Sequence, residues 1–378
     1  IKYKMNQTNL SIKKLQGIKP KGVKTKSETN LSKLIEVKDV LKSCIGVEYS
    51  EKYFHLDDMS ELINETLHSL EKNYFNNIPL SKLDLESFIL SESVNETDEF
   101  NSKFNGFYAG LLLTHLTNQN KKEGKRTRFY INGGGNKFDF LFNFVKNFDE
   151  LIIENFCGNG ICDNVLLRGK ANTLFLKNIK GDFIAQAGCN NGELDIGIFL
   201  NNNGYGQGYC FGALSEINTL IANVNLCSVS FQEILSSGKL DLAVFMGDLY
   251  GHHPNFDKDT RSENAVLGLA QNKGDINSTI LLDFLKGDFG FGGARIINLD
   301  KNTWDYDSYS LGRIIHSNVN KSSMPEYFEE IINADENKVY NPLMNQIRTL
   351  SPNNKINYNT VLETAKKIRQ EHDQLFPN

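Results

Sequence analysis

Residues 170–200 read KANTLFLKNIKGDFIAQAGCNNGELDIGIFL, two short apolar runs parted by a spacer rich in Gly, Asn and Asp. The runs are Leu174-Phe175-Leu176 and Leu194-Asp195-Ile196. The same Leu-x-(Leu/Ile/Ala) unit stands at Leu151-Ile152-Ile153, Leu220-Ile221-Ala222 and Leu240-Asp241-Leu242. Weaker echoes occur at Tyr130-Ile131, Ile280-Leu281-Leu282 and Ile296-Ile297-Asn298. Counted from Leu151, the steps are 23, 20, 26 and 20 residues. A strand-length apolar run returning at that interval is the signature of a solenoid, each repeat forming one coil of a parallel β-helix.

Alternation within each run predicts that Leu151 and Ile153, Leu174 and Leu176, and Leu194 and Ile196 point inward. Asn155 and Asn178, each four residues after a leading Leu, are placed to stack along the axis. The spacers supply residues that tolerate a left-handed backbone at tight corners. Counting the echoes gives seven or eight coils.

A second cadence joins the rungs. Gly181-Asp182-Phe183-Ile184-Ala185 leads into Gly192-Glu193-Leu194, and Gly287-Asp288-Phe289-Gly290 leads into Gly292-Gly293-Ala294. Gly247-Asp248-Leu249-Tyr250-Gly251 is a partial copy. Over about residues 160–300 this resembles the GXGXG-type right-handed β-helix found in glutamate synthases and formylmethanofuran dehydrogenases. The resemblance implies a structural spacer and docking surface whose chemistry lies elsewhere, so it carries no catalytic residue over to this chain.

The flanks differ from the repeat. Residues 1–35 form a basic arm, with nine Lys and one acid (Glu28) before residue 34. Lys13, Lys14, Lys19, Lys21, Lys24 and Lys26 are punctuated by Gly17, Pro20 and Gly22, which disfavour a helix. Such an arm either neutralises phosphates on RNA or a ribonucleoprotein, or is a solvated terminus.

Residues 36–125 are helical in period. Met59, Leu62, Ile63, Leu67, Leu70 and Tyr74 make one face, with Asp57 or Asp58 placed to cap it. Ser81 opens a second segment bearing Leu83, Leu85, Phe88 and Ile89. Glu92, Glu96, Asp98 and Glu99 then read as an acidic loop. A third helix carries Phe104, Phe107, Tyr108, Leu111, Leu112 and Leu116; apolar nearly all round, it must be buried, most simply across the open end of the solenoid. His115 within it reads as a core or boundary residue. Lys121, Lys122, Lys125, Arg126 and Arg128 form a second basic cluster where the 126–300 solenoid begins. Beyond it, residues 301–378 hold an irregular segment with Trp304, a helix start at Ser323 and Pro325, and a last helix from about Thr360. That helix carries Val361, Leu362, Ala365, Ile368, His372 and Leu375 on one side, fit to cap the far end.

Composition narrows the classes. At 378 residues with 25 Phe and 14 Tyr, the chain can bury a sizeable core and is not compositionally disordered. No apolar run approaches the ~20 residues of a membrane span. Six Cys without a CxxC pair read as reduced thiols in a cytoplasm-like compartment.

Tempting sites have plainer readings. Gly251-His252-His253 with Asp248, Asp257 and Asp259 could hold a divalent ion, but adjacent His side chains on a strand point apart. Gly133-Gly134-Gly135 lacks the Lys-Ser/Thr and the helix of a phosphate loop, and Gly204-Tyr205-Gly206-Gln207-Gly208 opens no suitable helix. Asp195 and Asp241 occupy equivalent outward positions two rungs apart, as in sugar-cleaving β-helices, with Thr219-Leu220-Ile221 interrupting the ladder. Neither a GxSxG elbow nor an HExxH helix occurs.

The sequence therefore predicts a right-handed parallel β-solenoid flanked by helical caps. The function expected is that of a non-enzymatic scaffold within a larger assembly, without a cofactor. Docking would be to RNA or a ribonucleoprotein through the arm. A structural component of a redox complex and a carbohydrate-binding or carbohydrate-cleaving β-helix are the alternatives.

Overall fold

The computed structural model describes residues 29–53, 55–75, 79–93, 98–204, 206–208, 210–224, 238–247, 332–334, 336–350 and 357–376, and the backbone of five strands between 266 and 331. Four helices precede the strands: α1 (Asn30–Lys52), α2 (Leu56–Asn73), α3 (Lys82–Glu92) and α4 (Glu99–Lys122).

Helix α1 begins already at Asn30, inside the stretch expected to be an extended arm. Thr29 caps it by accepting from Ser32 N at 3.3 Å. Ser81 and Asp84 form a capping box on α3. Asp57 and Asp58 fall in the first turn of α2, whose N-cap is His55. The expected acidic loop is divided: Glu92 is the buried end of α3, and Asp98 caps α4 by accepting from Asn101 N at 2.8 Å.

Helix α4 is buried continuously from Phe104 to Thr117. Two glycines let the solenoid backbone touch it. A Cβ on Gly106 would lie 1.8 Å from Phe140 O, and one on Gly110 would lie 2.7 Å from Asn143 O. The helix thus closes the first coil, as its all-round apolarity required.

The strands are β1 (Arg128–Asn132), β2 (Asn147–Glu154), β3 (Lys170–Lys177), β4 (Glu193–Leu200), β5 (Glu216–Val224) and β6 (Lys239–Gly247). Then come β7 (Val266–Leu267), β8 (Asp275–Leu282), β9 (Arg295–Ile296), β10 (Ser310–Ser317) and β11 (Glu330–Asn333). Among the described residues, nine strands form one parallel sheet in the order β1-β2-β3-β4-β5-β6-β8-β10-β11, and β7 pairs with β9 apart from it. This is the expected parallel β-solenoid.

The register is more regular than the Leu-x-Ile motif suggested. Phe129, Leu151, Leu174, Gly197, Leu220 and Ala243 stack in one column, with steps of 22, 23, 23, 23 and 23 residues. Leu194 stacks on Ala171 and beneath Ile217 and Leu240, rather than on Leu174. The pairing skips Asn172, Asp195 and Asn218 in successive strands, at matching positions, so the offset between strands stays 23 residues on either side. Alternation shifts there: Leu194 joins the interior cluster, whereas Ile196 joins the cluster on the outer face.

Opposite the sheet, the coil returns through a wall in which left-handed residues alternate with ordinary ones. Phe140, Phe142 and Phe144 have φ of 61°, 58° and 56°, and Gly160, Cys162, Asn164, Leu166 and Arg168 continue the pattern one coil on. Left-handed residues reach neighbouring coils, as in Phe140 N to Asn159 O (2.7 Å) and Cys162 N to Leu141 O (2.8 Å). Residues between them close local turns, as in Asp163 N to Gly160 O (2.9 Å). Each non-glycine residue so held costs about 1–2 kcal/mol. The hydrogen bonds within and between coils offset that cost.

Two corner columns fix the coil. Asn155 and Asn178 stack as expected, with φ of 57° and 55°, and Asn132 and Asn201 extend the ladder at its ends. Asn155 donates to Asn132 at 3.1 Å and Asn178 donates to Asn155 at 2.9 Å. Gly158, Gly181 and Gly204 form the second column. A Cβ on Gly181 would sit 1.9 Å from Gly158 O, and one on Gly204 would sit 1.8 Å from Gly181 O.

Helices α5 (Asn341–Thr349) and α6 (Tyr358–Leu375) flank the solenoid along its side. Leu343, Met344, Ile347, Val361, Leu362, Ala365 and Ile368 pack on the outward column Ile152, Phe175, Ile198, Ile221 and Val244. Both faces of the sheet are therefore buried, which is why the strands read as continuous apolar runs. The segment holding Trp304, Ser323 and Pro325 and the Gly-Asp copies at 248–251 and 287–293 lie outside the described residues.

Candidate nucleic-acid interface

Lys13, Lys14, Lys19, Lys21, Lys24 and Lys26 lie outside the described residues, but the root of their arm is placed. Tyr108 on α4 donates to Leu34 O on α1 at 3.0 Å, while Tyr49 near the other end of α1 donates to Lys103 O at 3.2 Å. The two helices therefore run antiparallel, and Thr29 leaves α1 towards the C-terminal end of α4. Thr29, the root of the arm, and the cluster thus lie towards the same end of the helical unit.

Within the cluster, Lys121, Lys122, Lys125 and Arg126 are exposed. Lys122 lies 3.8 Å from Glu71, and Lys125 pairs with Glu123 at 2.7 Å. Exposed pairs of this kind contribute roughly 0–1 kcal/mol and are readily exchanged for another anion. Arg128 is committed differently. It stacks over Tyr358 at 4.5 Å, lies 3.4 Å from Glu150 and donates to Asn359, so it anchors α6 to the first strands. Tyr130 follows on the same face of β1 with 47% of its surface exposed, its hydroxyl donating to Glu154 at 3.0 Å.

The other sequence candidates resolve as follows. His252, His253, Asp248 and Asp257 lie outside the described residues, as does Asp259. Among the described residues no group of three or more His, Cys, Asp or Glu is placed to hold a metal ion. Asp195 and Asp241 do share an outward column, but Asn218 stands between them and donates to Asp195 at 2.9 Å. Arg369 of α6 pairs with Asp241 at 3.2 Å. Gly133, Gly134 and Gly135 form a corner in which Gly134 N donates to Asn132 Oδ1 at 2.9 Å. Burial raises the thiol of Cys189 to about 12 and pushes that of Cys162 higher still, so both serve as apolar filling. Among the described residues no helix is long and apolar enough to cross a membrane.

One polar cluster gave no sequence signal, because its members come from four separated segments. At the joint between α1 and the first two coils, Tyr53 donates to Asp163 Oδ2 at 2.9 Å. Asn143 Nδ2 donates to the hydroxyls of Tyr53 (3.2 Å) and Tyr49 (3.3 Å). The Lys103 ammonium sits 4.5 Å from the centre of the Tyr53 ring. Burial, the largest influence, pushes the Asp163 carboxyl up to about 7 against the lowering effects of Tyr53, Lys103 and Asn164. A second buried group, the Lys38–Glu92 pair at 3.0 Å, ties α1 to α3, and Asn105 also donates to Glu92 at 2.9 Å.

Compared with protein-family models, with curated proteins and with solved structures, the chain matches none.

Proposed function

We propose that the chain is a non-enzymatic solenoid scaffold that docks RNA or a ribonucleoprotein through its Lys-rich arm and the basic cluster at the α4–β1 junction. The observation that carries this reading is the antiparallel placement of α1 against α4, which roots the arm at the end where Lys121, Lys122, Lys125 and Arg126 are exposed. Two basic segments distant in sequence then act as one phosphate-neutralising surface on a rigid body. Each phosphate neutralised releases counterions, so binding should weaken steeply with salt. Removing residues 1–28 should lower affinity for a fluorescein-labelled 20-nucleotide RNA and flatten the plot of log affinity against log salt. Equal slopes for the full and shortened chains would overturn the reading.

A second reading, a structural component of a redox complex, is supported by the likeness of the Gly-Asp-aromatic cadence, as at Gly181-Asp182-Phe183, to GXGXG-type β-helices. In the return wall, Gly206 and Gly208 take left-handed φ of 73° and 61° at alternate positions, the conformations for which glycine is best suited. Isolation from the native source with flavin, iron or a dehydrogenase attached would favour it over the first.

A further inference from the structure

Asp163 is buried at the joint between the helical unit and the solenoid, with 7% of its surface exposed. Its Oδ2 accepts from Tyr53, whereas its Oδ1 is buried and meets no donor in hydrogen-bonding geometry. Asn143 Oδ1, in the same joint, is likewise buried without a donor, because Tyr49 gives its hydroxyl hydrogen to Lys103 O and Tyr53 gives its own to Asp163. A buried acceptor oxygen lacking a donor costs free energy, and a proton on Asp163 removes the charge that makes that cost largest. We propose that Asp163 is held as the neutral acid in the closed joint, and that its ionisation loosens α1 from the first two coils.

The groups facing Asp163 leave it without a dedicated counter-charge. From α1 come Tyr49 and Tyr53, both held as neutral phenols chiefly by burial. From α4 comes Lys103, whose ammonium lies over the Tyr53 ring and over the Phe140 ring (5.2 Å) and pairs with Glu99 at 2.7 Å. On the coil itself, Cys162 is held as the thiol, and the amides of Asn164 oppose the upward shift more weakly than burial drives it. Asp163 is thus the carboxyl of the cluster that its surroundings hold towards neutrality. A carboxylate formed there keeps a buried Oδ1 without a donor, and the nearby cation is already shared with Glu99. The side of the joint free to move is α1, since the coils are locked to each other by backbone bonds such as Phe144 N to Asp163 O at 3.0 Å.

Amide hydrogen exchange on the full chain at pH 5.5 and 8.5, corrected for intrinsic rates, tests this. Peptides covering residues 44–53 should lose protection tenfold or more at the higher pH, and Asp163→Asn should abolish the difference. An equal loss in Asp163→Asn, or no loss in the wild type, overturns the proposal. Should Asp163→Asn fail to fold, infrared titration of the wild type and of Tyr53→Phe reads the proton directly. A buried carboxylic-acid band present at pH 5.5, with its midpoint moved to higher pH by Tyr53→Phe, supports the proposal. Absence of the band at pH 5.5 overturns it.

Discussion

Arg369, on the last helix, places Nη2 3.2 Å from Asp241 Oδ2 on β6 and donates through Nη1 to Asn218 O on β5 at 2.9 Å. Together with Tyr358, which donates to Glu150 at 3.1 Å on β2, it pins α6 along the solenoid axis across successive strands. The helix covers Ile152, Phe175, Ile198, Ile221 and Val244, an outward column that would otherwise be a flat apolar sheet face. Arg369→Ala should lower stability by about 1–2 kcal/mol in urea melts, since the pair is only partly screened. Truncation before residue 357 should produce a chain that binds a hydrophobic dye and associates at micromolar concentration. A monomeric truncated chain with unchanged dye signal would show that the face needs no cover.

The glycine corner column predicts a sharp local intolerance. A methyl on Gly181 would meet Gly158 O at 1.9 Å, and φ of 157° is a conformation that L residues avoid. Gly181→Ala should cost more than about 3 kcal/mol, because strain and lost inter-coil bonding act together. Gly124→Ala makes the control: its φ is 70°, but no atom lies within 4 Å of an added Cβ, so the cost should stay near 1 kcal/mol. Similar urea midpoints for the two variants would count against the stacked corner.

The Lys38–Glu92 pair should be weak as a stabiliser and strong as a constraint. Lys38→Met leaves a buried carboxylate supported only in part by Asn105, and should cost about 3 kcal/mol. The double variant Lys38→Met with Glu92→Leu should recover most of that loss. A double variant as unstable as the single one would mean that the pair contributes more than its desolvation costs.

Two groups give stability opposite slopes with pH. Asp163 binds its proton more tightly when folded, so the native state holds more protons than the unfolded chain between roughly pH 4 and 7. Stability falls as pH rises through that window, by up to about 4 kcal/mol, and levels off above it. His115 is lowered chiefly by burial, against the raising effect of Glu71, so the unfolded chain takes up a proton first. Its contribution is full above the unfolded value of about 6.5 and falls as pH drops below it. Urea titrations across pH 4.5–8.5 should show the downward slope vanish in Asp163→Asn and the acid-side loss shrink in His115→Gln. A wild-type curve whose slope between pH 4.5 and 7 is unchanged by Asp163→Asn would refute the assignment to that carboxyl.

That the chain is a parallel coil stack was legible in its letters alone. Apolar runs at strand length, returning between Gly and Asn corners, admit few other arrangements. The Asn155–Asn178 ladder and the burial of α4 were legible too, because a helix apolar on all sides has only the interior to occupy. Register was settled by packing in three dimensions. Leu194 resembles Leu174 as a letter, yet a recurring irregularity at Asn172, Asp195 and Asn218 shifts the alternation, so Leu194 stacks on Ala171 and Ile196 faces outward. A break in alternation that recurs at the same place in every strand keeps the 23-residue spacing intact, so the repeat interval carries no trace of it. The joint at Asp163 was invisible for a related reason. Tyr49, Tyr53, Lys103, Asn143 and Asp163 come from two helices and two coils, and only folding brings their polar atoms within hydrogen-bonding range, in a place dry enough to hold a carboxyl neutral.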